Sequence, residues 1–449
     1  MDKGIAAAPK ADGFFKLNNF RMAAIIAAFA MFFIALTRSG HNISSLFLYV
    51  SPLIFAVIGC GFYNGDYMRK KRHLLCMGFF LWYVLCRWLC GDFFMLMPEE
   101  QYTFIMTGMM LALALPFSDI MGDSERRRYL NILCWVVVLS YAVLLCLCYA
   151  ARFRGENIVF VKGLVEFGVT VGEKGDTRVL LFNAHHYTVD YIAALCFLLT
   201  LYLAFSTWQR AKWLIIPELA LLVIFAYAAV IIPCRTVLVA ICGALLLVAL
   251  IFIQRIRLPK TVLIGGFILL CAAGAAFVLF GMDSVYMAST NDARSALSRL
   301  ATMSGRSELW SAALQILRDD PIGYLRGFSL GEMLERIMEY DPRGMGHLHN
   351  GLLEVLLFTG IPGFAAVLAF CVVLIVSCVR VFFAPAQSSI STAHKVMVAA
   401  VAALFFMNLF DSLLFINRSN CDMLNFFFFV FCGYIFDAAG KLREEKRAK

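Results

Sequence analysis

The sequence is short of charge. Asp, Glu, Lys and Arg make up only 15% of its 449 residues, whereas 62% are hydrophobic and the mean hydropathy is +0.80. An ordinary soluble domain carries about 25% charged and about 45–50% apolar residues, so the soluble globular classes are excluded. Other absences narrow the chemistry. There is no phosphate-cradling Gly-x-x-x-x-Gly-Lys loop and no metal-spaced Cys/His set, which argues against a cytoplasmic ATP-driven engine. No Asp-x-Asp occurs, so a metal-chelating nucleotide-sugar enzyme is disfavoured and no cofactor or metal is expected. The 15 cysteines fall mostly inside apolar runs, among them Cys60, Cys86, Cys146, Cys148, Cys271 and Cys371, where they act as small hydrophobes and not as a disulfide scaffold.

What is present is a series of long apolar runs. Twelve can be drawn, at 22–37, 46–63, 74–91, 102–117, 130–150, 188–206, 213–232, 236–253, 262–281, 351–379, 395–416 and 422–436. Each is long enough to cross a hydrocarbon core of about 30 Å as a helix, and none shows the alternation of a barrel strand. The expectation is an all-α polytopic membrane protein of about 12 transmembrane helices. With a cytoplasmic N-terminus, the inner segments 1–21, 64–73, 118–129, 207–212, 254–261, 380–394 and 437–449 hold 22 of the 39 Lys and Arg residues. The positive-inside rule then puts both termini in the cytoplasm. Clusters such as Arg69-Lys70-Lys71-Arg72 and Arg126-Arg127-Arg128 read as topology anchors against anionic lipid, so the net charge of +9 does not imply nucleic-acid binding. The first run is followed by Arg38-Ser39-Gly40 and not by a small-residue cleavage site, so it reads as a retained anchor.

Two outer connections are too long to be turns, 151–187 and 282–350, and long ordered loops usually carry function. The chain therefore divides into 1–281, with nine spans and the 151–187 loop; 282–350, a large outer loop; and 351–449, with three spans and a basic cytoplasmic tail. The 282–350 loop holds seven arginines (Arg294, Arg299, Arg306, Arg318, Arg326, Arg336, Arg343), nine acidic residues and no lysine. Guanidinium grips phosphate or carboxylate oxygens in a bidentate way that an ammonium cannot, although surface solvation accounts for most such residues. Two short amphipathic helices are readable in this loop. Ser307–Arg318 places Leu309, Ala313, Leu314 and Leu317 on one side and stops before Pro321. Ser329–Tyr340 opens with a Ser-x-x-Glu capping box (Ser329, Glu332) and carries Leu330, Met333, Leu334, Ile337 and Met338 at helical spacing. Both are expected to lie along the membrane surface as a lid.

After this loop comes Gly346-His347-Leu348-His349-Asn350-Gly351-Leu352-Leu353-Glu354, then Gly360-Ile361-Pro362-Gly363. Upstream stand Ser304-Gly305-Arg306-Ser307-Glu308-Leu309-Trp310 and Asp320-Pro321-Ile322-Gly323, and between the seventh and eighth runs stands Ile232-Pro233-Cys234-Arg235-Thr236. In this order and topology the motifs resemble the bacterial O-antigen ligase and O-antigen polymerase superfamily. Two departures are visible: Pro233-Cys234 stands where Ser or Gly is usual, and Asn183-Ala184-His185-His186 where relatives often show Asn-Pro-Asn.

The resemblance implies a GT-C-like membrane glycosyltransferase at the outer face of the bacterial inner membrane. Such enzymes move a glycan from an undecaprenyl-diphosphate carrier to an acceptor hydroxyl on a glycan, lipid or protein, in cell-surface polysaccharide or lipopolysaccharide biosynthesis. It implies His349 as general base, with Arg306 and Arg235 neutralising the departing diphosphate, and inversion without a metal. His347, Asn350, His185, His186 and Trp310 become candidate substrate contacts. The chemistry agrees, since imidazole has an unperturbed pKa of about 6.5 and a developing diphosphate charge needs fixed cations. The motifs do not separate ligase from polymerase. The rival from another class is a secondary transporter or flippase, for which the ionisable candidates inside the spans are few: Arg87, Asp190 and Asp411.

Overall fold

The structure is a computed structural model. It describes residues 123–154, 157–161, 165–171, 177–181, 186–207, 211–231, 234–253, 306–340, 348–385, 388–411, 413–415 and 422–448, together with Gly78, Trp82, Leu85 and Cys86. The expected spans at 22–37, 46–63, 102–117 and 262–281, Arg87 and nearly all of 74–91 lie outside these residues. Seven described helices are long and apolar enough to cross a membrane, and they coincide with the other seven expected runs. This is a multi-pass membrane protein.

The seven are α1 (Asp123–Arg154), α2 (His186–Thr207), α3 (Ile215–Ile231), α4 (Arg235–Ile253), α8 (Gly351–Phe382), α9 (Thr392–Phe410) and α10 (Asp422–Ala448), with α5 to α7 between α4 and α8. Helices this apolar can bury every face or turn one to lipid, and the bundle uses both solutions. The span of α2 is buried from Val189 to Ala204, and α10 is buried from Phe426 to Ile435. α9 packs against α2, α4, α8 and α10, so α2, α9 and α10 form the centre. α1 instead buries Leu130, Leu133, Cys134, Val137, Tyr141, Leu145 and Cys148 and leaves Ile132, Leu139 and Val143 exposed. That division at three- and four-residue spacing is a helix with one face to protein and one to lipid. α8 exposes Leu368, Val372, Val373, Ile375, Val376 and Val379 in the same way.

The expectation of an all-α chain needs a correction at 151–187. This connection carries a three-stranded antiparallel sheet in the order β1 (Ile158–Val161), β2 (Val165–Val171), β3 (Thr177–Leu181). β2 pairs Phe167 with Leu181 and Val169 with Val179, and the β1 pairing has a bulge between Val159 and Val161. The period-two pattern Val165, Phe167, Val169, Val171, broken by Glu166, Gly168 and Thr170, is a strand signal in the sequence itself. β2 lies along α1.

The 306–340 segment folds as three helices where two were expected: α5 (Arg306–Asp319), α6 (Pro321–Arg326) and α7 (Leu330–Tyr340). Pro321 ends α5 and also opens α6, because a proline at the first helical position loses no needed N–H. Asp320 caps α6 by accepting from the Gly323 N–H at 2.8 Å. Ser329 Oγ accepts from the Glu332 N–H at 3.2 Å, one half of the expected capping box. The buried faces are Leu309, Ala312, Ala313, Ile316 and Leu317 on α5 and Met333 and Ile337 on α7. Leu314 and Met338 do not join them; they are exposed, and on α5 Ala312 and Ile316 are buried instead.

Two of the seven arginines act inside this segment. Arg336 reaches Asp320 at 2.9 Å and Glu332 at 3.2 Å and lies over the Phe328 ring, while Arg326 meets Glu332 at 3.1 Å. The Gly323 N–H, the charge of Arg336, the Ile322 N–H and Arg326 together hold the Asp320 carboxyl below the usual carboxylate range. A depressed pKa contributes stability that is complete above the unfolded value of about 3.9 and is lost as pH falls through the folded value. Asp320→Ala should therefore speed amide exchange at Gly327 and Phe328 at pH 5, by the loss of a cap of about 1 kcal/mol. The difference from wild type should shrink between pH 5 and pH 3.

The segment docks on a break in α8. At Gly360 the chain leaves helical geometry (φ 62, ψ −172), and Pro362 follows inside the next turn. The remaining stretch, 361–382, is about 33 Å long at 1.5 Å per residue, which matches a hydrocarbon core of about 30 Å. The Phe328 N–H donates to Leu357 O at 2.7 Å. A Cβ on Gly327 would sit 2.6 Å from Phe358 O, and one on Gly360 would sit 2.3 Å from Leu325 O. These two glycines let two backbones touch.

Candidate functional site

The His-Asn motif forms the turn that enters α8. Asn350 is its N-cap, and its Oδ1 accepts from the Leu352 and Leu353 N–H groups at 3.1 and 3.0 Å. Leu348, fully buried, is held from two sides. Its N–H donates to Glu354 Oε1 at 2.7 Å, and its carbonyl accepts from the Trp310 indole N–H at 2.9 Å. Between these fixed points His349 adopts a left-handed backbone conformation, φ 52, that few side chains other than Asn, Asp and His accept.

His349 Nδ1 lies 3.7 Å from Asp411 Oδ1, with the imidazole 14% and the carboxylate 3% exposed. Asp411 follows the last turn of α9. Its other oxygen, Oδ2, accepts from the Tyr191 hydroxyl on α2. Three elements far apart in sequence thus meet at one end of the bundle. The turn after Asp411 is tied down in turn: Asn408 Oδ1 accepts from the Leu414 N–H at 2.7 Å, and Asn425 Nδ2 on α10 donates to Leu413 O at 2.8 Å.

Beside this pair lies the entrance of α4. The Cys234 thiol is buried there. Burial pushes that thiol up, and the charges of Asp190 and then Asp411 push it in the same direction.

The expected site residues divide into three groups. His349, Asn350 and Trp310 come together, with Trp310 bracing the His349 turn through its indole N–H. Arg306, Arg235 and His186 are described by backbone alone, as the first residues of α5, α4 and α2. Arg306 stands one turn before Trp310, Arg235 next to Cys234, and His186 one turn before Asp190. His185 and His347 lie outside the described residues. Three further residues of the site, Glu354, Tyr191 and Asp411, received no role from the sequence. Asp411 appears there only as an ionisable residue in an apolar run. Among the described residues, no three His, Cys, Asp or Glu side chains gather into a set that could hold a metal.

Comparison with known families bears on this region. Residues 220–368 match the family model described as O-antigen ligase. No curated protein and no solved structure matches the chain. The matched region takes in the entrance of α4, the 306–340 segment, the His-Asn turn and the break in α8, and the match supports a membrane enzyme of the ligase or polymerase type. It ends before Asp411 and begins after Tyr191. The carboxylate that faces the motif histidine is thus supplied from outside the matched residues.

Proposed function

We propose that the chain transfers a glycan from an undecaprenyl-diphosphate carrier to an acceptor hydroxyl, with His349 as general base. The observation that carries this reading is the 3.7 Å approach of His349 Nδ1, a residue of the matched O-antigen ligase region, to the buried Asp411. A carboxylate facing one ring nitrogen fixes the tautomer and stabilises the imidazolium formed when the other accepts a proton. In the proposed step, Nε2 takes the acceptor proton and the acceptor oxygen forms a bond to the anomeric carbon. The bond from that carbon to the diphosphate oxygen breaks with its electron pair, so configuration inverts. Arg235 and Arg306 offset the charge that develops on the departing diphosphate. His347, His185, His186 and Asn350 remain candidates for contacts with the sugars or the acceptor.

The basic inner segments support a bacterial inner-membrane location with both termini cytoplasmic and the site on the outer side. Ligase and polymerase activity share this donor chemistry and differ in acceptor. The test is to incubate purified protein with the lipid-linked glycan that accumulates in cells lacking the chain, add candidate acceptors and follow product size. A single transfer to a different acceptor supports the ligase reading, and a ladder of growing glycan supports a polymerase.

Metal independence belongs to the same proposal, because the arginines and the imidazole supply both the electrophilic and the basic function. Transfer should survive exhaustive chelation with EDTA unchanged; loss restored by a divalent cation would overturn this part.

A further inference from the structure

We infer that Glu354 and Asn408 are positioning residues that set His349 against Asp411. The inference rests on the reading of His349 as base and names what holds it in place. Both reactive side chains sit on turns with a non-glycine residue in the left-handed region: His349 itself (φ 52), and Phe415 (φ 65), which closes the turn after Asp411. Such conformations are strained and persist only where the surroundings hold them.

In each turn a buried polar side chain accepts the N–H of the residue just before the left-handed one. Glu354 has no exposed surface, and its Oε1 accepts the N–H of Leu348, the residue before His349, at 2.7 Å. A capping-box acid normally stands at the third helical position and bonds back to the cap residue. Glu354 stands at the fourth, and its bond reaches two residues ahead of the Asn350 cap, to the backbone that carries His349. A fully buried carboxyl group is costly to keep, which points to a specific task for it. Asn408 likewise has no exposed surface, and its Oδ1 accepts the N–H of Leu414, the residue before Phe415, at 2.7 Å.

The two holding groups meet at Gly351. A Cβ there would sit 2.1 Å from Asn408 Oδ1, so only glycine at the first position of α8 lets the amide pass beneath the turn that Glu354 holds. The distance between His349 and Asp411 is therefore set where α8 crosses α9.

The test compares Glu354→Gln with Glu354→Ala, each also in the His349→Ala background, using the lipid-linked glycan that accumulates in cells lacking the chain. Glutamine keeps an acceptor oxygen and alanine does not. Glu354→Ala should lower kcat by about 10²-fold with donor KM little changed, the scale expected for a displacement of about 1 Å at the reacting atoms. Glu354→Gln should remain within about threefold of wild type, and Glu354→Ala should cause no further loss once His349 is already alanine. Glutamine as damaging as alanine, or an equal loss in both backgrounds, would overturn the inference. Undiminished transfer by His349→Ala alone would overturn the base assignment instead. Asn408→Ala is expected to behave in the same way toward Asp411→Asn, with no added loss in the double variant; additive losses would remove Asn408 from the role.

Discussion

His349→Asn should reduce glycan transfer by about 10²- to 10⁴-fold, the usual worth of a general base, and leave the protein folded. Asparagine is the informative replacement because it tolerates the left-handed backbone at this position, whereas alanine adds about 1–2 kcal/mol of strain. The imidazole is partly exposed and carries no backbone turn itself; Asn350, Glu354 and Trp310 hold the turn on either side. Removal of the ring should thus cost little stability. The loss should appear in kcat with donor KM nearly unchanged, since a base acts on the acceptor proton in the transition state. Full transfer by folded His349→Asn protein would remove the base from the mechanism.

Gly360→Ala should be the most damaging change outside the reacting groups. At φ 62, ψ −172 the backbone occupies a region essentially restricted to glycine, which costs other residues about 1–3 kcal/mol. The added Cβ would also sit 2.3 Å from Leu325 O, a backbone atom that cannot swing aside, and forced overpacking costs a further amount of about 1–3 kcal/mol. Gly327→Ala meets Phe358 O at 2.6 Å with φ 84 and should act alike. The expected result is detachment of the 306–340 segment from α8: fast amide exchange at Phe328, whose N–H bonds Leu357 O, and a fall in transfer because Trp310 no longer braces the His349 turn. Gly331→Ala is the control. Its Cβ meets nothing within 4 Å at an exposed position of α7, so it should be neutral or stabilising by about 0.5–1 kcal/mol. Equal exchange in Gly360→Ala and Gly331→Ala would contradict the docking role of the glycines.

The spans were legible because a membrane helix announces itself by length and hydropathy alone, and the seven described spans fall on seven runs of the sequence. The His-Asn motif was legible because the histidine, the asparagine and the glycines lie within one short stretch, whereas the capping role of Asn350 at α8 was not read from it. β1 to β3 were not, since short strands between spans are easily read as loop, although the alternation of β2 is plain in retrospect. α6 was missed because Pro321 reads as a stop signal before it reads as a start. Asp411 and Tyr191 stand 62 and 158 residues from His349 in the chain, and nothing local in the sequence pairs them; only the packing of α9 against α2 does. Glu354 lay within the motif, yet a glutamate near a helix start looks like an ordinary cap partner. Its reach back to Leu348 depends on a turn geometry that side-chain spacing does not encode.

The central claim is that a bundle of membrane helices brings His349 and Asp411 together to move a glycan off a lipid diphosphate. The most direct measurement uses the purified full-length chain in lipid nanodiscs, supplied with lipid-linked glycan from cells lacking it and an acceptor extract. Glycan transferred and free lipid diphosphate released are then quantified in the same reaction. The expected result is one diphosphate released per glycan transferred, dependent on His349. Transport of the lipid-linked glycan or of ions across reconstituted vesicles, with no new glycosidic bond and no diphosphate released, would contradict it.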